Sequence, residues 1–299
     1  MRLAGLFLLL LAVVFSPALF ALAVHAARED LHSHVLLIPF VSAYLLHIRW
    51  SDLPKTYRSS PVPAIVLAAL GAGALAAAFA LVPAILALSQ NDYLALMAFA
   101  FVCWAVAGGF LFLGSRWMAA AAFPMWFLLF MVPLPDAMVE LLENGSKYGS
   151  AETSALFFSL WGMPFLRDGL VFHLPGISLE VAQECSGIRS SWVLFITSLL
   201  AANLFLRTTW RRTVLVLLVI PLGLLRNGLR ILVIGILCVE IGPEMIHGII
   251  HRRGGPLFFG LSLIPLFALL WWLRKGEQAS RQPISPATAM PVEAEPNKT

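Results

Sequence analysis

Apolar residues run along this chain in long blocks broken by short polar stretches. A helix needs about 20 apolar residues to cross roughly 30 Å of hydrocarbon. Eight blocks qualify as candidates: residues 3–24, 35–48, 63–88, 93–113, 117–132, 188–206, 213–239 and 256–273. The second and fifth are short, which fits a smaller tilt or a partly re-entrant path. The first follows Arg2 as a signal peptide would. Its apolar run exceeds the roughly 7–15 residues of a signal core, so it reads as a retained helix. The pattern predicts an all-α membrane protein with about eight transmembrane helices.

One longer polar segment, residues 134–187, separates the fifth and sixth blocks. Pro133-Leu-Pro135 closes the fifth helix. Residues 136–160 read as an amphipathic helix, with Met138, Leu141 and Leu142 spaced for one face. The period then changes to two in Ile177-Ser-Leu-Glu-Val181. Asp168-Gly169 and Pro175-Gly176 are turn signals. A small β-hairpin leading into Cys185 is expected, with an irregular loop as the alternative.

Composition agrees with the pattern. The chain has 299 residues, 60% of them hydrophobic and 12% charged. Soluble domains carry roughly twice that charge, so an ordinary soluble protein, a disordered chain and a nucleic-acid binder are excluded. The net charge of +4 is small; where the charges fall matters more. With the N-terminus in the cytoplasm, the inner ends carry Arg2, then Arg49, Lys55 and Arg58, then Arg116, then Arg207, Arg211 and Arg212, then Arg274, Lys275 and Arg281. The outer loops carry Arg28, Lys147, Arg167, Arg252 and Arg253. This bias predicts both termini in the cytoplasm and residues 134–187 outside. Residues 1–275 form the expected polytopic domain. Residues 276–299, with four prolines and little apolar content, are expected to be a disordered tail.

Three Cys cannot make a full disulfide framework. Cys103 and Cys238 lie inside apolar blocks and read as packing residues. Cys185 lies in Glu184-Cys-Ser-Gly-Ile-Arg-Ser190, where the outer loop enters the sixth helix. A helix N-terminus favours thiolate, and Arg189 adds positive charge about one turn on. A small residue at a crowded helix start is the alternative. Arg226-Asn-Gly-Leu-Arg230 lies within the seventh block. Charges in a span are expensive and are functional candidates by default. Counting from Thr213 at about 1.5 Å per residue puts Arg230 roughly 25 Å along, close to the outer interface. Arg226 lies one turn deeper and should matter less, or either Arg could serve helix carbonyls or Glu240. His247 and His251 precede the eighth helix. Thiolate, base and a cation for an oxyanion are the parts of acyl transfer, and the topology brings them to one face. His32 and His34 could line the same site or form a polar helix start; His173 reads as surface. No zinc-ligand spacing and no phosphate-cradling loop is present, so no cofactor, metal or nucleotide is expected.

These motifs resemble the exosortase/archaeosortase family of multi-pass membrane cysteine transpeptidases. The matching residues are Cys185-Ser186-Gly187-Ile-Arg189, Asn227-x-x-Arg230 and His251-x-x-x-Gly255, in family order. Ser33-His34 with Leu37-Ile-Pro39, and the run Phe127 to Pro135, resemble family patterns as well. The resemblance covers roughly residues 30–273. It implies a catalytic set of Cys185, Arg230 and His251, supported by Arg189, Asn227, Ser186, Gly187 and Gly255. It also implies a thioester acyl-enzyme and membrane-anchored substrates with a C-terminal sorting signal of Pro-Glu-Pro type, in a bacterial inner membrane. Members often accompany exopolysaccharide production. Membrane lipid is the other implied partner. The family often has an acidic residue after the His; here Arg252-Arg253 follows, and two cations disfavour imidazolium. The reading from another class is a non-enzymatic transporter or export component in which Arg226 and Arg230 bind an anionic ligand.

Overall fold

The computed structural model describes residues 1–81, 88–181, 187–247 and 254–279. Six of its helices are long and apolar enough to cross a membrane, and eight spans result if two bent helix pairs each count as one. The first expected span is one of those pairs: α1 (Arg2–Val14) and α2 (Ser16–Arg28) meet at 69°. Pro17 explains the break. It has no N–H to give the preceding turn, and the Ser16 hydroxyl donates to the Val13 carbonyl instead (2.8 Å). A 3₁₀ stretch (Asp30–Leu36) leads into α3 (Ile38–Ile48). Then come α4 (Pro61–Leu81) and α5 (Gln90–Phe112). The last six residues of the expected 63–88 span before Leu88 lie outside the described residues.

The fifth expected span is broken further. Helices α6 (Ser115–Ala120) and α7 (Ala122–Phe127) and a 3₁₀ turn (Leu128–Met131) precede α8 (Asp136–Trp161), which is set at 90°. Pro124 removes a ladder donor early in α7, and Pro133 and Pro135 end the run. Helix α9 (Ile188–Phe205) is a plain span. After it come α10 (Thr209–Leu217) and α11 (Val219–Glu240), then α12 (Gly255–Ala279). Helix α12 continues past position 275, where the apolar pattern ends the membrane domain. Residues 280–299 lie outside the described residues.

Polar groups gather where helices end. At one face, Asn91 at the start of α5 donates to the Leu134 carbonyl and to Asp136, both at 2.7 Å. The Asp136 amide donates to the Asp92 carboxylate (2.8 Å), and His25 of α2 reaches Asn91 (3.3 Å). At the other face, Arg49 after α3 donates to Asn203 near the end of α9 (2.7 Å). Glu277 of α12 accepts from the amides of Arg207 and Thr208 and from the Thr208 hydroxyl. Between the two levels the packing is apolar. Leu22, Ile38, Leu94, Val102, Phe127 and Ile196 form one core, and Leu194, Leu215, Leu266 and Leu273 another.

Helix lengths decide what stands outside that slab. Helix α9 is 18 residues, roughly 27 Å long. Residues Thr209–Glu240 form a 32-residue apolar run that starts at the level where α9 ends. At 1.5 Å per residue, its last dozen residues extend beyond the level where α9 begins. There α11 is covered by protein. Phe158 and Ala151 of α8, Phe172, Leu174 and Leu179 from a small sheet, and Val181 just after it bury Ile231, Ile234 and Cys238.

The sheet has three antiparallel strands, β1 (Leu166–Asp168), β2 (Val171–Leu174) and β3 (Ile177–Glu180), in that order. The expected hairpin is β2–β3, with Phe172 opposite Leu179 on the inner face and His173 opposite Ser178 on the outer. The Asp168-Gly169 turn adds β1. The expected amphipathic helix of residues 136–160 is α8.

Helices α8 and α11 approach closely because α11 offers glycines. A Cβ on Gly228 would sit 2.8 Å from Thr153 Cβ, and one on Gly235 would sit 2.8 Å from the Phe158 ring. Small residues let helix backbones meet in this way. Helix propensity alone says that Gly228→Ala gains about 1 kcal/mol. Overpacking against Thr153 costs about 1–3 kcal/mol and should win. Gly228→Ala is therefore expected to lower the melting temperature in detergent, and adding Thr153→Gly should restore part of the loss. A Gly228→Ala protein as stable as the wild type would refute this account.

Candidate active site

Two of the three motifs meet at the start of α9. Gly187 precedes the helix with φ +68°, in the left-handed region. Its carbonyl accepts the first helical bond, from the Ser191 amide (3.0 Å), and a bond from the Ser190 hydroxyl (3.2 Å). A third donor comes from far along the chain: the Arg226 guanidinium bonds the same carbonyl at 2.9 Å and the Ser191 hydroxyl at 3.1 Å. Asn227 packs beside it and donates to Ser150 of α8 (2.9 Å). Arg226 is 6% exposed and Asn227 2%.

Gly187 is required there on two counts. Its φ disfavours any residue with a side chain. A Cβ would also lie 2.9 Å from Asn227 Oδ1 and 3.0 Å from Arg226 Nη2. The Cys185-x-Gly187 and Asn227-x-x-Arg230 motifs are thus joined by contact between Gly187 and the 226–227 pair. Cys185 and Ser186 themselves lie outside the described residues. On the other side of that segment, Val181 is 1% exposed and donates its amide to Leu170 (3.0 Å).

Arg230 lies one turn beyond Arg226 on α11, half-buried. Arg189 is exposed in the first turn of α9. His251, Arg252 and Arg253 lie outside the described residues; Gly255 begins α12. Helix α12 packs along α9 with its far end at Arg207 and Thr208, so Gly255 stands at the same face as Gly187. His247 ends a 3₁₀ stretch (Pro243–His247).

A third group of polar residues flanks this face. His34 is buried, and Trp192 of α9 donates its indole N–H to His34 Nε2 (3.2 Å). Because indole only donates, His34 carries its proton on Nδ1, which donates to the Leu31 carbonyl (3.1 Å). The rings of His25 and His32 stack at 5.7 Å. His32 is buried, and its ring nitrogens have no hydrogen-bond partner among the described residues. The His34 ring meets the Trp192 indole edge-on at 6.4 Å, and Trp192 in turn packs on Phe130 and Phe195. His173 is on the outer side of the sheet, bonded to Ser178 (2.8 Å). Among the described residues, no group of three His, Cys, Asp or Glu side chains is placed to hold a metal.

Residues 24–268, most of the chain, match the family described as transmembrane exosortase, and the chain belongs to that family. It is a multi-pass membrane protein of that class. No curated protein and no solved structure matches it.

Sequence position alone underrates Arg226. Its depth suggested a minor part, yet it holds the carbonyl two residues after Cys185. Its Nη1 is also buried without a partner among the described residues. Ser150 and Ser191 had no sequence signal beyond a small polar residue in a helix. Gly187→Ala is expected to destabilise the start of α9 by about 1–2 kcal/mol from its φ alone. In a Cys103→Ser/Cys238→Ser background, it should also change the rate at which maleimide labels Cys185. Unchanged labelling and melting temperature would mean that Gly187 does not set this junction.

Proposed function

We propose that this exosortase is a cysteine transpeptidase or endopeptidase that cleaves membrane-anchored proteins next to a C-terminal sorting signal. Cys185 thiolate attacks the peptide carbonyl, giving a tetrahedral oxyanion held by Arg230. The C–N bond then breaks. A thioester forms on Cys185, and the leaving amine takes a proton from His251, which had received it from the thiol. An incoming amine or water, deprotonated by His251, attacks the thioester and frees the thiol. Arg189 favours the thiolate, and Asn227 with Arg226 holds Gly187, two positions on from it. The observation that supports this reading most is the Arg226–Gly187 bond. It ties the helix bearing the proposed catalytic Arg to Gly187, two positions after the proposed nucleophile, across 39 positions of sequence.

The substrate's own transmembrane helix docks between helices and delivers the bond at the interface, so binding supplies proximity. The site faces the outside of the inner membrane, both termini are cytoplasmic, and the work is linked to export of surface proteins or exopolysaccharide. Reporter fusions after Lys147 and after Lys275 are expected to report opposite sides; the same side for both would refute the topology.

Co-expression with a sorting-signal protein tests the chemistry. Cys185→Ser should abolish processing with the protein still inserted, whereas Cys103→Ser and Cys238→Ser, both buried in helices, should keep it. Arg230→Lys should be nearly inactive, because lysine lacks the planar fork. His251→Ala should lose roughly 10²–10⁴-fold in rate, and His247→Ala should keep most of it. Substantial turnover by Cys185→Ser, or a dead His247→Ala beside an active His251→Ala, would overturn the assignment.

A further inference from the structure

At the end of the molecule away from Gly187, roughly 27 Å along α9, a cavity of about 640 Å³ opens among α3, α9, α10 and α12. Four arginines from separate segments line it: Arg49 after α3, Arg207 after α9, Arg212 in α10 and Arg274 in α12. Two acids also line it, Asp52 and Glu277. Glu277 is 9% exposed, and its carboxylate is taken up by the Arg207 and Thr208 amides and the Thr208 hydroxyl. No carboxylate of the described residues lies within 4 Å of these four guanidinium groups; the Arg167–Glu152 ion pair, between β1 and α8, is at the other end of the molecule. Among the described residues, none of the four guanidinium groups in the cavity is therefore in an ion pair.

Three of them are held in place by neutral groups. Arg49 donates to Asn203 (2.7 Å), Arg212 Nε donates to the Leu206 carbonyl (2.8 Å), and Arg274 stacks over Phe205 at 5.7 Å. Each of these contacts uses at most one of a guanidinium's five N–H donors. What remains is a cluster of oriented donors in a concave site, the arrangement that recognises tetrahedral phosphate. Its surroundings identify the source of the phosphate. Phe205, Trp210, Trp271 and Trp272 are exposed at the same end of the helices, as in the aromatic belt found at headgroup level.

We propose that this cavity binds the phosphate headgroup of an anionic phospholipid, and that the lipid joins the α3, α9 and α12 ends at the face opposite the candidate active site. Topology signals alone ask only that basic residues stand on this side. They do not ask that four of them from distant segments line one cavity.

The test uses the full-length protein purified in detergent and titrated with phosphatidylglycerol or phosphatidylcholine, with bound lipid counted by native mass spectrometry. Phosphatidylglycerol should be retained several-fold better than phosphatidylcholine, and salt should weaken it. Arg49→Gln/Arg212→Gln should lower its affinity by at least about tenfold, as expected for losing charge-assisted hydrogen bonds. Arg116→Gln, exposed on the same face outside the cavity, should not. If the double glutamine variant fails to fold, Arg274→Gln alone and the salt dependence of the wild type carry the same comparison. Equal retention of the two lipids, or equal loss in Arg116→Gln, would leave only non-specific charge and overturn the proposal. Competition by millimolar inorganic phosphate that displaces the lipid completely would assign the site to a soluble phosphate and overturn the lipid as occupant.

Discussion

Hydrocarbon offers no hydrogen bonds, so each polar group at membrane depth must find its partner within the protein. Most of this structure follows from meeting that demand at helix breaks. Where the chain bends at Phe15, a serine hydroxyl takes the carbonyl that Pro17 cannot serve. Where α7 gives way to α8, Asn91 and Asp92 serve the groups freed between Leu134 and Asp136. Where α9 ends, Glu277 reaches from α12 to the two following amides. Arg226 answers the same demand at Gly187. A guanidinium is expensive in an apolar medium, and its placement fits a residue that both satisfies the break and fixes its geometry. The candidate active site is thus one of a set of helix interruptions served by polar side chains, distinguished by the residues beside it.

What the chain reveals by local pattern is large. Six apolar blocks, the amphipathic run that became α8 and the period-two stretch Ile177 to Val181 are local signals that match elements, while the first and fifth blocks are broken. Even the two span breaks had local markers, in Pro17 and in Pro124 with Pro133 and Pro135. What local pattern does not carry is pairing. Nothing near Arg226 says that its partner is a carbonyl 39 positions earlier. Position 187 reads as a motif glycine, while the reason for it, Asn227 Oδ1 at 2.9 Å from any Cβ, exists only once α9 and α11 are packed. Arg49, Arg207, Arg212 and Arg274 each look like an ordinary basic helix end; only the fold makes them neighbours.

The projecting half of α11 explains why an apolar stretch this long can end a span. Ile231, Ile234 and Cys238 would suit lipid, but Phe158, Phe172 and Leu179 cover them. The sheet and the second half of α8 form a small core built on a helix that enters from the membrane slab. Three phenylalanine rings, Phe158, Phe165 and Phe172, meet at 5.4 to 5.7 Å and close it.

That projection gives the site a fixed height. Gly187 and Asn227 sit where α9 begins, at the foot of a wall made by α8, the sheet and the end of α11. On the proposed reading, a substrate tethered by its own helix arrives sideways and meets that wall at one level. An extended chain advances at most about 3.3–3.6 Å per residue. The bond presented is then chosen first by how many residues separate it from its tether, as on a ruler, and only afterwards by the side chains around it.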